Sequence, residues 1–407
     1  MAGGERLPSD AREEHHEQAK EEKTDPLSIA RKYTEQYLED EHALNMLEPF
    51  ARPRASETIP EMIAIIQTLI AKGNAYEAAD GVYFSVETFP QYGALSGNAL
   101  ANLDAGARVK VKEEKRHPAD FALWKKTVGE NALHILRWPS PWGEGFPGWH
   151  IECSAMSRKF LGPKLDIHTG GEDNIFPHHE CEIAQSECSG GSPFVRFWLH
   201  RRRIDLGEAK MSKSLGNILS LPDLAAKGYD PLDLRYLLLS VHYRTPLKFT
   251  WEGLDAARRA RRTIVDWMER EGSGEYASAD VHHQTFLPED VAEFDRQFNE
   301  AMDSDLNTSA ALAALFSCLH QANTCAPPSG SMKDVLRSFI AKVRTTFGCF
   351  EPEGKIEIPP DIQSLLDERA AARLRKDFAA SDRLRREIEA KGFILNDTKN
   401  GMRMTKK

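Results

Sequence analysis

The chain has no run approaching the roughly 18 apolar residues that cross a bilayer, and its opening, Met1-Ala-Gly-Gly-Glu-Arg6, lacks the apolar centre of a secretion signal. Those absences argue against a helical membrane protein and make the cytoplasm the expected compartment. Cysteine is sparse, with six in 407 residues at positions 153, 181, 188, 318, 325 and 349. None form a CxxC pair or a compact disulfide framework, so they read as thiols. Positive charge is not in excess either. A net charge of −9 argues against indiscriminate polyanion binding, which needs local lysine and arginine. What is present is a globular composition, 41% hydrophobic and 28% charged, on a chain long enough for two to four domains. Its ends differ in sign: residues 1–50 hold thirteen acids and six bases, residues 361–407 eight acids and twelve bases.

Residues 1–24 are polar on all sides and have no core of their own. From Pro26, apolar residues recur at helical spacing, and Thr58 to Ile70 predicts a second amphipathic helix closed by Lys72-Gly73. Asp80-Gly81 predicts a hairpin turn, followed by a loop-rich stretch to Lys126. The Trp-, Pro- and Gly-rich residues 136–150 read as a hinge into another layer. Ile151–Phe160 reads as a helix and Leu165–His168 as a short strand, together an α/β unit. Beyond Pro231 the pattern is helical, 351–360 reads as a linker, and 361–392 as one charged helix ending at Gly392. The expected division is 1–24, 25–145, 146–230, 231–350, 351–360 and 361–407.

Two stretches carry chemistry. In Asp166 to Ser186, a helix starting near Pro177 puts His178 and Glu182 on one face, the i, i+4 spacing two ligands of one metal need. Cys153 could add a thiolate, and a nitrogen, oxygen and sulfur set suits zinc with one position open. The same residues also suit a helix cap and a small core thiol. His179-Glu180 begins the HExxH pattern, but Ile183 stands at the second histidine's place. The second stretch, Lys210-Met-Ser-Lys-Ser-Leu-Gly-Asn217, holds lysines that in a mobile loop can neutralise a triphosphate as pyrophosphate leaves. A solvated basic turn is the plainer reading of such an octet.

That octet matches the KMSKS motif of class I aminoacyl-tRNA synthetases letter for letter. With Gly148-Trp-His-Ile-Glu-Cys-Ser-Ala-Met156, Phe176–Ser186, Asp120–Lys125 and Asp233–Leu238, the chain resembles the cysteinyl-tRNA synthetases from about Asp25 nearly to its end. The resemblance implies a partial Rossmann-type α/β catalytic domain with a connective insertion, then an all-α bundle and a small anticodon-binding module. It implies ATP-dependent activation of L-cysteine and transfer to tRNA(Cys), with one Zn2+ per chain, ATP with Mg2+, no membrane partner and a monomer. By motif position, Cys153, His178 and Glu182 would hold zinc, Trp149 would line the cysteine pocket, and His168, Gly171, Asp173 and Lys213 would bind ATP. Lys210 and Lys213 would be the catalytic lysines. Arg258–Arg262 and the helix from Arg369 to Lys391 would face tRNA.

The sequence departs from the family in three places. No His-x-Gly-His occurs, no cysteine precedes Cys153 to give the family's fourth zinc ligand, and Gly401-Met-Arg-Met404 lacks the family's tryptophan. The resemblance therefore reads as a synthetase whose first strand and first ATP-binding helix are missing, with a truncated start as the expected cause. A sheet without that strand should expose an apolar edge. Two alternatives stand beside ligation to tRNA: an ATP-dependent ligase joining cysteine to an amino sugar, and a non-catalytic tRNA-binding chain.

Overall fold

The computed structural model describes residues 26–98, 114–206, 209–210, 219–273, 286–325, 330–351, 359–375, 377–398 and 401–406. The acidic opening, most of the 351–360 linker and the core of the Lys/Ser octet lie outside the described residues. Among the described residues no helix is long and apolar enough to cross a membrane. The chain forms two compact units, residues 47–211 with 243–249 making up most of the first and residues 212–242 with 250–407 most of the second.

After helix α1 (Pro26–Ala43), the first unit builds α2 (Ile59–Ala71), whose Ile59, Met62, Ile66 and Leu69 recur on one buried face. Strands β1 (Ala75–Glu77), β2 (Gly81–Phe84), β3 (Phe121–Lys126) and β4 (Gly145–Pro147) form an antiparallel sheet in that order. The Asp80-Gly81 hairpin expected from sequence is there, pairing Ala75 with Phe84. The last six residues of the loop expected up to Lys126 are instead β3, and three residues of the expected hinge return as β4 to pair with it. Long-range pairing decides both: Trp124 is fully buried with Trp142 packed beside it, and the Gly148 N–H donates to the Leu123 carbonyl at 2.9 Å. Buried Asp120 accepts from the Tyr76 hydroxyl and the Val86 and His117 amides.

The α/β unit follows: α3 (Trp149–Leu161), β5 (Leu165–Gly171), α4 (Glu180–Gly190) and β6 (Val195–Arg201). β5 and β6 pair in parallel, with Leu165 opposite Val195 and Gly171 opposite Arg201. Ile151 and Ala155 of α3 and Cys181 and Ala184 of α4 join the same core as α2 and the antiparallel sheet. The helices that carry the candidate ligands are thereby held by one apolar cluster. Among the described residues β5 pairs with β6 alone, and the register partners Ile167 and Phe197 on one face of this pair are 58% and 54% exposed. β7 (Ile204–Leu206) pairs with β8 (Ala209–Lys210) and, in parallel, with β9 (Leu247–Phe249). β9 is a three-residue strand inside the stretch read as almost wholly helical.

The second unit holds α5 (Leu221–Ala226), α6 (Pro231–Leu239), α7 (Trp251–Ser273), α8 (Pro288–Asp303), α9 (Thr308–Thr324) and α10 (Ser331–Phe347). Pro231 stands at the first turn of α6, and the Asp230 carboxylate accepts the Leu232 amide at 2.7 Å. Phe298, Phe339, Phe347 and Phe350 pack in the core with edge-on and tilted rings. The single helix expected over 361–392 is two, α11 (Pro360–Leu374) and α12 (Phe378–Ala390), followed by the hairpin β10 (Phe393–Thr398) and β11 (Gly401–Lys406). Asp377 breaks the run, because its side chain caps α12 by accepting the Ala380 amide at 3.0 Å. Ile362, Leu366, Ile388, Phe393 and Leu395 close a small core of their own.

Candidate active site and metal centre

The site gathers around the start of α3, the turn before α4, and the carboxyl ends of β5 and β6. The turn Ile175–His179 enters α4 with Phe176 extended (φ −135, ψ 131), so the regular helix starts at Glu180, three residues after the expected Pro177. The i, i+4 relation survives: His178 Nε2 lies 2.9 Å from Glu182 Oε1. Packing of α3 against α4 then supplies Cys153. Ligand atoms of Cys153, His178 and Glu182 all lie within 4.8 Å of one another. Sequence spacing could place two of these together; only the fold adds the third.

The electrostatics match that grouping. The Glu182 side chain has no exposed surface. Burial raises its pKa, but His168 and His178 outweigh this and hold it at about 2. His168 Nε2 meets Glu182 Oε2 at 3.0 Å, whereas Oε1 receives no well-aligned hydrogen bond from His178 despite its proximity. A buried carboxylate oxygen without an aligned donor is an acceptor open to a cation. Burial, followed by the Glu182 charge, pushes the Cys153 thiol up to about 12, so its thiolate needs a cation beside it. This donor set and its unsatisfied oxygen fit zinc.

Histidines form a second layer that sequence spacing did not reveal. His150 Nδ1 is 2.9 Å from His178 Nδ1, and His179 Nδ1 is 2.8 Å from His200 Nε2. Burial holds His150 and His179 near 3, keeping both neutral and able to accept. His168, His179 and Glu182 also lie close enough to share an ion, so Glu182 belongs to two clusters. The only signal for His150 and His200 in sequence was their nearness to Trp149 and to the end of a strand.

Trp149 packs its ring 4.1 Å from that of His178, a wall beside the candidate ligands. Gly171 lies at the end of β5; a Cβ there would collide with the Asp173 carboxylate, and one on Gly170 would come within 2.7 Å of the His179 ring. The His179 ring leaves no room for a side chain at Gly170, whereas the exposed Asp173 carboxylate could turn away from one at Gly171. Lys210 lies in β8 opposite Asp205; its side chain and all of Lys213 fall outside the described residues. Glu180, the acid of the partial HExxH pattern, is a buried brace that accepts the Gly93 and Ser96 amides. Cys181 is structural as expected, fully buried with the Tyr92 hydroxyl at 3.5 Å.

Two expectations about basic residues need correction. Arg261, read as facing tRNA, is 1% exposed and donates from Nε to buried Asp233 at 2.7 Å. Arg369 is 3% exposed. In each case the helical period turns an arginine inward, where an ion pair or its aliphatic stem is buried. Arg259, Arg373, Arg383 and Arg386 remain exposed.

The model of tRNA synthetases class I (C) catalytic domain matches residues 10–259, a DALR domain matches 297–350, and the cysteinyl-tRNA ligase anticodon binding domain matches 356–403. A cysteine–tRNA ligase of Thermus thermophilus is 44% identical over 394 residues, covering 95% of this chain and 81% of that protein. One of Chlorobium luteolum is 41% identical over 412 residues, covering 96% and 81%. A Mycobacterium tuberculosis methionyl-tRNA synthetase bound by methionyl-adenylate is alike in fold alone, with a TM-score of 0.51 at 14% identity over 83% of this chain and 75% of that one. These likenesses lend nothing to the amino-sugar ligase or non-catalytic alternatives. With a catalytic-domain match over more than half its length and relatives above 40% identity along nearly all of it, the chain belongs to the cysteine–tRNA ligase family of class I synthetases.

Proposed function

We propose that this chain activates L-cysteine with ATP and transfers it to tRNA(Cys), using Cys153, His178 and Glu182 to hold one zinc ion. The observation that carries this reading is the Cys153–His178–Glu182 cluster with its unsatisfied Glu182 oxygen, set beside Trp149. Zinc held by these three residues would favour a thiolate over a hydroxyl as a further ligand, the one-atom difference between cysteine and serine.

The protein's own groups do the remaining work in this proposal. Trp149 walls the amino-acid pocket and excludes water, and His168 orients the Glu182 carboxylate through its 3.0 Å contact. Gly171 lets backbone approach the nucleotide, with Asp173 and His168 beside it, and ATP enters with Mg2+. Lys210 and Lys213 neutralise charge that develops on the phosphates as pyrophosphate leaves, an interaction stronger in the transition state than in the bound substrate. The anticodon-binding module engages tRNA, and the chain acts as a monomer in the cytoplasm.

The test is cysteine-dependent ATP–pyrophosphate exchange on the purified chain, with bound zinc quantified on the same sample. Exchange with about one zinc per chain supports the reading, and Lys213→Ala should then lose exchange while keeping tRNA affinity. Zinc-loaded chain without exchange overturns it.

A further inference from the structure

Glu182 divides its two oxygens between different histidines. Oε1 faces His178 Nε2 at 2.9 Å, on the Cys153 side, and Oε2 meets His168 Nε2 at 3.0 Å. Ligand atoms of His168, His179 and Glu182 lie within 4.8 Å of one another, as those of Cys153, His178 and Glu182 do. The Glu182 side chain has no exposed surface, and His179 is 2% exposed. Two imidazoles beside one buried carboxylate oxygen make a second donor set that shares only Glu182 with the first.

These histidines are held as ligands are held. An imidazole that binds metal through one nitrogen turns the other to a carbonyl or another polar partner. His168 Nδ1 is 3.2 Å from the Thr169 carbonyl, which can only accept, so the neutral ring carries its proton there and a lone pair on Nε2. That lone pair, 3.0 Å from a carboxylate oxygen, needs a positive centre between them, either a proton or a metal ion. Two atoms bound at about 2.0–2.1 Å to one zinc ion stand about 3 Å apart, which is the separation between these two. His179 Nδ1 is 2.8 Å from His200 Nε2, and when His179 donates in that contact its Nε2 lone pair is free. Strand alternation puts His168, Trp198 and His200 on one face of the β5–β6 pair. The Trp198 ring packs 4.6 Å from that of His168 and 4.7 Å from that of His179, which fixes both imidazoles in advance.

We propose that His168, His179 and Glu182 form a second site for a divalent transition metal, with the Glu182 carboxylate bridging it to the ion at Cys153 and His178. Two imidazoles and a carboxylate suit zinc or cobalt, and not magnesium or calcium, which take oxygen ligands. The second ion is the weaker, because it has no thiolate and shares one carboxylate charge with the first. It leaves on dialysis that the first survives. The site rests on the metal part of the reading above through Glu182 alone, and it requires neither ATP nor tRNA.

The test is cobalt(II) titration of the metal-stripped full chain, read by calorimetry for stoichiometry and by absorption for the thiolate–cobalt band. Wild type should take two ions, one with the band and one without. His179→Gln and His168→Gln should each weaken the second ion more than about a hundredfold and keep the band, which also reports that the fold stands. Cys153→Ala should lose the band and keep the second ion. His200→Ala removes an outer partner and should weaken the second ion about tenfold. His320→Gln removes an exposed histidine on α9 and should match wild type. A wild-type chain that saturates at one ion carrying the band overturns the proposal. So does a second ion that persists in both His179→Gln and His168→Gln. An ion lost in those two variants, from a chain that never shows the band, removes the Cys153 cluster from the reading and leaves this site standing.

Discussion

Half-buried Cys153 and fully buried Asp233 impose opposite demands. Cys153 carries a thiol that burial keeps protonated, so a cation is what makes it a ligand. Cys153→Ala, His178→Ala and Glu182→Gln should each reduce zinc from about one per chain to a small fraction of that, read by elemental analysis after dialysis. Asp233 already has its cation in Arg261, and both side chains are essentially inaccessible. Asp233→Ala leaves that buried guanidinium with the Asp230 carboxylate only at 3.9 Å and should cost about 3 kcal/mol in urea unfolding. Replacing both residues with apolar ones of similar volume should return most of that loss. The i, i+4 relation of His178 and Glu182 was legible in the sequence because it follows from local helical periodicity. The inward turn of Arg261 was not, because a run of arginines looks the same whether a helix shows it to solvent or to a carboxylate.

Elements were readable where their signals were local. The α2 stripe, the Asp80-Gly81 hairpin and the Pro231 start of α6 rest on neighbours within a few residues. β3 and β4 were not readable, since their partners lie up to 44 residues away in sequence and one of them is only three residues long. The break between α11 and α12 was present as a signal, Asp377 followed by good helix formers, and was hidden within a continuous charged run. Asp377→Ala removes the cap bond to Ala380 and should destabilise the C-terminal module by about 1 kcal/mol. Hydrogen exchange should then accelerate across α12 and β10 and stay unchanged in the first unit.

At the scale of the molecule, charge is divided between its ends and function between its units. The candidate metal ligands and strands β5 and β6 lie in the first unit, while exposed Arg383 and Arg386 lie in the second, on α12. Arg383→Glu with Arg386→Glu should weaken tRNA binding and lower its salt slope by about 2, leaving cysteine-dependent pyrophosphate exchange within about twofold. Filter binding across a salt series reads the first and exchange the second.

The sequence by itself determined the family, through motifs whose residues are contiguous, and it determined which residue types could ligate a metal. Tertiary structure alone decided that Cys153 of α3 meets His178 and Glu182 across two packed helices, and that His150, His179 and His200 surround them. It also decided that, of three adjacent arginines, two find carboxylates and one donates to backbone carbonyls alone. The reason is physical: periodicity sets which side of an element a residue occupies, but only packing of that side against distant chain sets whether it meets water, an acid or an unfilled site.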